Sequence, residues 1–373
     1  MKFLDLSTYV HKTQSNLNAR FNKIFKHQAF IDGPEARILE DRLCSITDSK
    51  YAFCCANGTN ALIASLLALD IKPGDEVIIP AFGFIAPLEA CKILNTKVIF
   101  VDVGINDGNI CINDLNLKVT KNTKAVIVMS LFGNMAKIKE IKNLFPDIFL
   151  IEDAAQSLGS SINNIKSCSV ADISTTSFYP SKPIFSLGNG GCIFTQSEIL
   201  ATKIKAILNH GQTSKYNHTY LGLNGKINSF QAASILENLN YYELHLRKRN
   251  EIAKYYLNNI QNIKFVNKNN NFNHYSTWAQ FCLKSKNRDT IINQLNKNKI
   301  PTAIHYPKPL YSQSFMNADK ANTCKNSEQL CKEIFSIPLN PFLSSKEIDL
   351  ITSSLNKITQ EIAFPRQKND LSI

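Results

Sequence analysis

The sequence predicts a mainly parallel α/β sheet in a large domain, residues 1–245, followed by a small α+β domain, residues 246–373. Short apolar runs recur about 20 to 30 residues apart with helical patterns between them, the signature of strands joined by crossover helices. Polar and glycine residues suited to chemistry fall just past the ends of several of these runs, where open α/β sheets bind their ligands. Beyond residue 245 the strands and helices are shorter and alternate differently.

Taken in order, the segment up to His27 reads as a polar helix. Asp32-Gly33-Pro34 is a turn, and Pro34 suits a first helical turn, with Ile38, Leu39 and Leu43 as its apolar stripe. Tyr51–Cys55 reads as a buried strand. It runs into Ala56-Asn57-Gly58-Thr59-Asn60, and a helix follows from Ala61 to Leu69. A strand, a Gly-Thr turn and a helix N-terminus leave backbone N–H groups free for a phosphate. Further strands are expected at Val77–Ile79, Lys97–Val101, Ala125–Ser130, Phe149–Glu152, Thr175–Phe178 and Gly191–Thr195. Phe82 and Phe84 follow the first of these in a loop, and Asp153-Ala154-Ala155-Gln156 follows the fourth. Ser229 is the expected cap of a long helix that continues through Arg249 towards Tyr256. In the small domain, Ile263–Val266, Trp278–Leu283 and Thr302–His305 read as strands, Arg288–Lys297 and Lys346–Thr359 as helices, and the end from Arg366 as disordered.

Ser177–Gly191 stands apart. Lys182 lies between Pro180 and Pro183, and proline disfavours helix both at its own position and at the residue before it. Gly188, Gly190 and Gly191 then allow close backbone approaches. A lysine on a stiff irregular loop suits a group that must reach one atom of a bound molecule.

Composition narrows the function classes. The chain is 44% hydrophobic and 19% charged, an ordinary soluble balance. No apolar run reaches the roughly 18 residues a membrane helix needs, and Met1–Thr13 lacks the core of a signal peptide. A cytoplasmic protein with no membrane partner is expected. The ten cysteines show no Cys-x-x-Cys spacing, so free thiols rather than disulfides or a metal site are expected. The net charge of +12 is spread among asparagines rather than gathered in a basic run, which argues against a nucleic-acid partner.

The motifs, in order, are Gly58-Thr59, the loop at Phe84, Glu152-Asp153-Ala154-Ala155-Gln156, Ser177-Phe178-x-x-x-Lys182, Gly188-x-Gly190-Gly191, Gly222-x-Asn224, Gln231-Ala232-Ala233, His305-Tyr306-Pro307 and Ile337-Pro338-Leu339-Asn340-Pro341. Over residues 30 to 345 the chain thereby resembles the DegT/DnrJ/EryC1/StrS family of pyridoxal-phosphate-dependent nucleotide-sugar aminotransferases. The resemblance implies fold type I, the aspartate-aminotransferase type. It also implies amino transfer from an amino acid, usually L-glutamate, to a 3- or 4-keto group of a nucleotide-linked sugar, for amino-sugar and surface polysaccharide biosynthesis. By position, Lys182 would reach the cofactor's aldehyde and move the proton. Asp153 would keep the pyridine nitrogen protonated. Gln156 would lie beside the ring oxygen, and Phe84 would stack on the ring. Gly58, Thr59 and Ser177 would cradle the phosphate, and Asn224 would reach it from a neighbouring subunit in a homodimer with shared active sites. Lys226, His305, Tyr306 and Tyr311 are the substrate-side candidates.

Lys226 departs from the family, since many relatives carry arginine there and a lysine cannot form the bidentate carboxylate fork. Two alternatives share the cofactor: a sugar dehydratase, which replaces the lysine by histidine, and a non-catalytic regulator. Lys182 argues against the first, and the lack of a helix-turn-helix or extra domain against the second.

Overall fold

The computed structural model describes residues 1–266, 273–316 and 323–364. Its centre is a seven-stranded sheet. In spatial order the strands are Tyr51–Cys55, Gly191–Thr195, Ile173–Ser177, Phe149–Asp153, Thr123–Met129, Glu76–Pro80 and Lys97–Val101. The last five pair in parallel. Gly191–Thr195 runs antiparallel to both of its neighbours. The reason is local: the excursion from Phe178 to Gly190 contains no helix, and a parallel return needs a crossover, usually helical.

The sheet is buried on both faces, as parallel sheets are. All five residues of Glu76–Pro80 and of Gly191–Thr195 are buried. Helix Gly58–Ala68 is apolar around most of its circumference and packs under the sheet with Ala61, Ala64, Leu66 and Ala68 fully enclosed. On the other side helix Pro34–Thr47 packs against helix Ser229–Leu239 and strand Tyr51–Cys55.

The smaller sheet is antiparallel, with strand order Lys264–Val266, Phe281–Lys284, Ile334–Ile337. Helices Arg288–Lys297 and Ser345–Ala363 cover it. The latter opens with a capping box between Ser344 and Glu347. Among the described residues no helix is long and apolar enough to cross a membrane. The expectation from Arg366 onward lies outside the described residues.

Three local expectations are corrected. The helix after the 221–226 loop is capped by Asn228, whose side chain accepts from Gln231 N–H. Ser229 instead donates its hydroxyl to Ala29 O at 2.5 Å and accepts from Gly33 N–H. That helix ends at Leu239, and a separate helix runs from Tyr242 to Asn259. The second helix serves two cores: Leu246 packs with the large one, and Ile252, Ala253 and Tyr256 pack with the small one. Finally, Thr302–His305 forms no strand. Only the isolated bridge Ala303↔Ser336 remains, because Pro301 and Pro307 bound the segment and proline has no amide donor.

Candidate active site

Asp153 is the last residue of its strand and pairs in register with Thr175 on the next. Its carboxyl accepts from Ala155 N–H at 3.0 Å. Burial pushes the carboxyl above its usual range, while the Ala155 N–H and the charge of Lys182 pull it down. Lys182 follows the end of the neighbouring strand, on the irregular loop that its two prolines foretell. Its N–H closes a turn onto Tyr179 O, 2.9 Å. Burial lowers the affinity of the amine for its proton, and the Asp153 carboxylate opposes that shift. The amine lies 5.9 Å from the centroid of Phe84.

Phe84 is 48% exposed, far more than its neighbour Phe82. Its ring meets Tyr306 at 6.1 Å between centroids, and the remainder is open for a flat ligand ring. Gln156 is held from three directions. Its Oε1 accepts from Phe132 N–H at 2.7 Å, its Nε2 donates to Tyr306 Oη at 2.8 Å, and its carbonyl accepts from Thr277 Oγ1. His305 Nδ1 lies 2.9 Å from Ser336 Oγ. Burial, assisted by the Lys182 charge, brings its pKa down to about 4, so the imidazole is neutral at physiological pH.

The Gly58–Thr59 turn is shaped by close approach. The Asn57 side chain caps the helix by accepting from Asn60 N–H, 2.8 Å. A Cβ on Gly58 would stand 2.9 Å from the Cβ of Ser177, and one on Gly191 would stand 2.5 Å from the Asn57 carbonyl carbon. Two glycines therefore bring the helix N-terminus against the strand that ends in Ser177, so Gly58, Thr59 and Ser177 converge on one small polar cradle.

The remaining expected residues lie apart. Among the described residues, Asn224, Lys226 and Tyr311 make no hydrogen bond or ion pair with Lys182 or Asp153. Asn224 is exposed on a loop bridged to Asn209. Lys226 lies 3.8 Å from Asp32, in a cleft of ≈ 600 Å³ shared with Arg37, Glu40 and Lys205. The Tyr311 hydroxyl donates to Glu328 at 2.8 Å. The sequence reading overlooked Phe132 and Thr277, which fix Gln156. The signal for Phe132 was the Phe-Gly pair directly after an apolar strand. Gly133 has φ +103, and a Cβ there would meet Trp278 N at 2.4 Å.

Residues 11–356 match the DegT/DnrJ/EryC1/StrS aminotransferase family. The chain belongs to that family. Its relatives include the UDP-2-acetamido-2-deoxy-3-oxo-D-glucuronate aminotransferase of Pseudomonas aeruginosa, 34% identical over 357 residues, covering 95% of this chain and 99% of that protein. Another is the dTDP-3-amino-3,6-dideoxy-alpha-D-galactopyranose transaminase of Aneurinibacillus thermoaerophilus, 31% identical, covering 95% and 98%. A crystal structure of a family aminotransferase from Brucella abortus superposes with a TM-score of 0.91 at 31% identity, covering 96% of this chain and 99% of that one. The fold is thus the type I fold of these enzymes, and the protein is an aminotransferase that uses pyridoxal 5′-phosphate.

The family site fits that cofactor. The glycine-made cradle suits its phosphate, the open face of Phe84 its ring, and the buried Asp153 carboxyl a ring cation. When bound, the cofactor supplies an aldehyde that takes up an amino group and a ring that accepts electrons. Lys182 would supply the amine that reaches the aldehyde carbon, and its burial lowers the amine's affinity for a proton. Asp153 would hold a proton on the ring nitrogen by charge. Gln156, fixed through Phe132 and Tyr306, presents a side chain that cannot swing away.

Proposed function

We propose that this aminotransferase moves the amino group of L-glutamate to the 3-keto group of a sugar carried on a nucleoside diphosphate, in amino-sugar and surface polysaccharide biosynthesis. One observation carries the reading: the Lys182 amine and the Asp153 carboxyl act on one another's charge, and the amine lies 5.9 Å from the centroid of the half-exposed Phe84 ring. The 3-position is supported by the names of the two relatives above, both of which specify it. His305 and Tyr306 would line the sugar side. Lys226 and Tyr311 would meet the sugar or the nucleotide as these extend outward. Residues 1–245 would form the cofactor domain and 246–373 the small one, in a cytoplasmic enzyme.

The test incubates the cofactor-loaded protein with glutamate and a panel of UDP- and dTDP-linked 3-keto and 4-keto sugars, and reads product masses. Amination of a 3-keto sugar is expected. Amination of 4-keto sugars alone overturns the position, and no amination at all overturns the acceptor class.

The same reading makes the enzyme a homodimer in which Asn224 completes the partner's site. Its exposure on a loop bounded by Gly222 and Gly225 supports this. Mixing the inactive variants Lys182→Ala and Asn224→Asp should restore roughly a quarter of wild-type activity, since half the dimers are mixed and each has one intact site. No recovery, with subunit exchange confirmed by native mass, removes Asn224 from the neighbouring site.

A further inference from the structure

Helix Ser229–Leu239 carries Gln231, Ser234 and Asn238 at spacings of three and four, which places them on one face. That face is turned to the segment bearing Lys182. Asn238 Oδ1 accepts from Phe185 N–H at 3.3 Å, and Ser234 Oγ accepts from Leu187 N–H at 3.1 Å. Gln231 lies against Gly188, where a Cβ would stand 2.8 Å from its Nε2. The amides at 185 and 187 are two residues apart, as along one edge of a strand, and side chains four residues apart on a helix replace the missing neighbour.

The remainder of the excursion is tied to itself. Phe178 N–H donates to Gly190 O and Ser186 N–H to Phe178 O, closing its base. The ring of Phe185 packs edge-on against Tyr9, 4.8 Å between centroids. Phe185 is thus held by its ring on one helix and by its amide on another, three residues beyond Lys182. Ser234 is 2% exposed and Asn238 fully buried, so water cannot substitute for either acceptor.

We propose that Ser234 and Asn238 are positioning residues for Lys182: by accepting from the amides of Phe185 and Leu187 they hold the lysine's loop so that its amine stays at the Asp153 end of the site. The inference rests on Lys182 being the amine that takes the cofactor. It also accounts for the Gln231-Ala232-Ala233 motif. Gln231 packs on Gly188, and the two small residues, both fully buried, seat the helix.

The test uses the full-length, pyridoxal-phosphate-loaded protein and the variants Ser234→Ala, Asn238→Ala and Ser234→Thr. Two quantities are read: amide hydrogen exchange at Phe185 and Leu187, and the pH midpoint of the cofactor's visible absorbance band. In the alanine variants exchange at these amides should quicken about tenfold or more, and the midpoint should move by about half a pH unit or more. Ser234→Thr keeps the hydroxyl and should behave as the parent. Faster exchange without a spectral shift shows a merely structural contact and overturns the proposal, as does unchanged exchange. If Asn238→Ala fails to fold, the Ser234→Ala and Ser234→Thr pair decides. A parent with no visible band overturns the cofactor reading, and this inference with it; a parent band that the variants leave unmoved overturns this inference alone.

Discussion

Gln156 donates from Nε2 to the hydroxyl of Tyr306 across 2.8 Å, joining positions 150 residues apart in the chain. The amide's other end accepts from Phe132 N–H, so its orientation is fully determined. In Tyr306→Phe the buried Nε2 keeps its position and loses its acceptor. The expected cost is about 1–3 kcal/mol of stability, measured by urea unfolding. A variant as stable as the parent means the hydrogen bond contributes nothing net.

Borohydride reduction of the cofactor-loaded protein should fix the cofactor on Lys182. Peptide mapping reads the position directly. The label must vanish in Lys182→Ala, and its appearance on any other lysine removes Lys182 from its role.

Asp153→Asn should lower turnover on the order of 100-fold while the cofactor still binds. In the cofactor-free protein the same change should stabilise. Burial raises the folded-state affinity of this carboxyl for its proton. Below the ordinary carboxyl range both states hold the proton and nothing is gained or lost. As pH rises past that range the unfolded chain releases its proton first, so the parent loses stability until the folded group also ionises. Melting temperatures of parent and variant should therefore coincide near pH 3 and separate, with the variant higher, towards pH 8. A variant lower at pH 8 would show that the ionised form is the one the fold favours.

His245 makes a prediction outside the site. It is 7% exposed, stacks on Tyr241 and meets Phe342 edge-on, with Tyr9, Arg249, Lys248 and Lys12 nearby. Burial, with these cations, lowers its pKa from 6.5 to about 4. Between those values the unfolded chain takes up a proton that the folded one refuses, so stability falls as pH drops through that window. His245→Phe keeps the ring and should flatten the fall, read as melting temperature against pH from 7 to 4. His305, shifted the same way, leaves a remainder.

What could be read from the sequence was what is decided locally. Tyr51–Cys55, Lys97–Val101, Gly191–Thr195 and Arg288–Lys297 emerge with the expected bounds, because each is a compact run between turn residues. The irregular loop that carries Lys182 was legible for the same reason, since Pro180 and Pro183 lie within it. The cap at residue 229 was misread because Asn228 and Ser229 are both good caps, and the choice is made by Ala29 and Gly33, about 200 residues away. The break at Asn240 has no glycine or proline to announce it. The hold on Gln156 was invisible because its partners come from three separate segments.

Asp153 ends a strand, and Lys182 follows closely on the next, with Asp153 and Thr175 in register. Asp153 thus takes its place from the backbone ladder, whose step is the same whatever side chains it carries, whereas Lys182 takes its place from a loop tied to helix Ser229–Leu239. The substrate-side candidates Lys226, His305 and Tyr311 sit on other connections, where length and composition drift freely. Asp153 and these substrate-side connections can therefore vary separately. On the proposed reading, a lineage or a laboratory selection would change its sugar by altering these connections while the Asp153 strand and the Lys182 loop stay as they are.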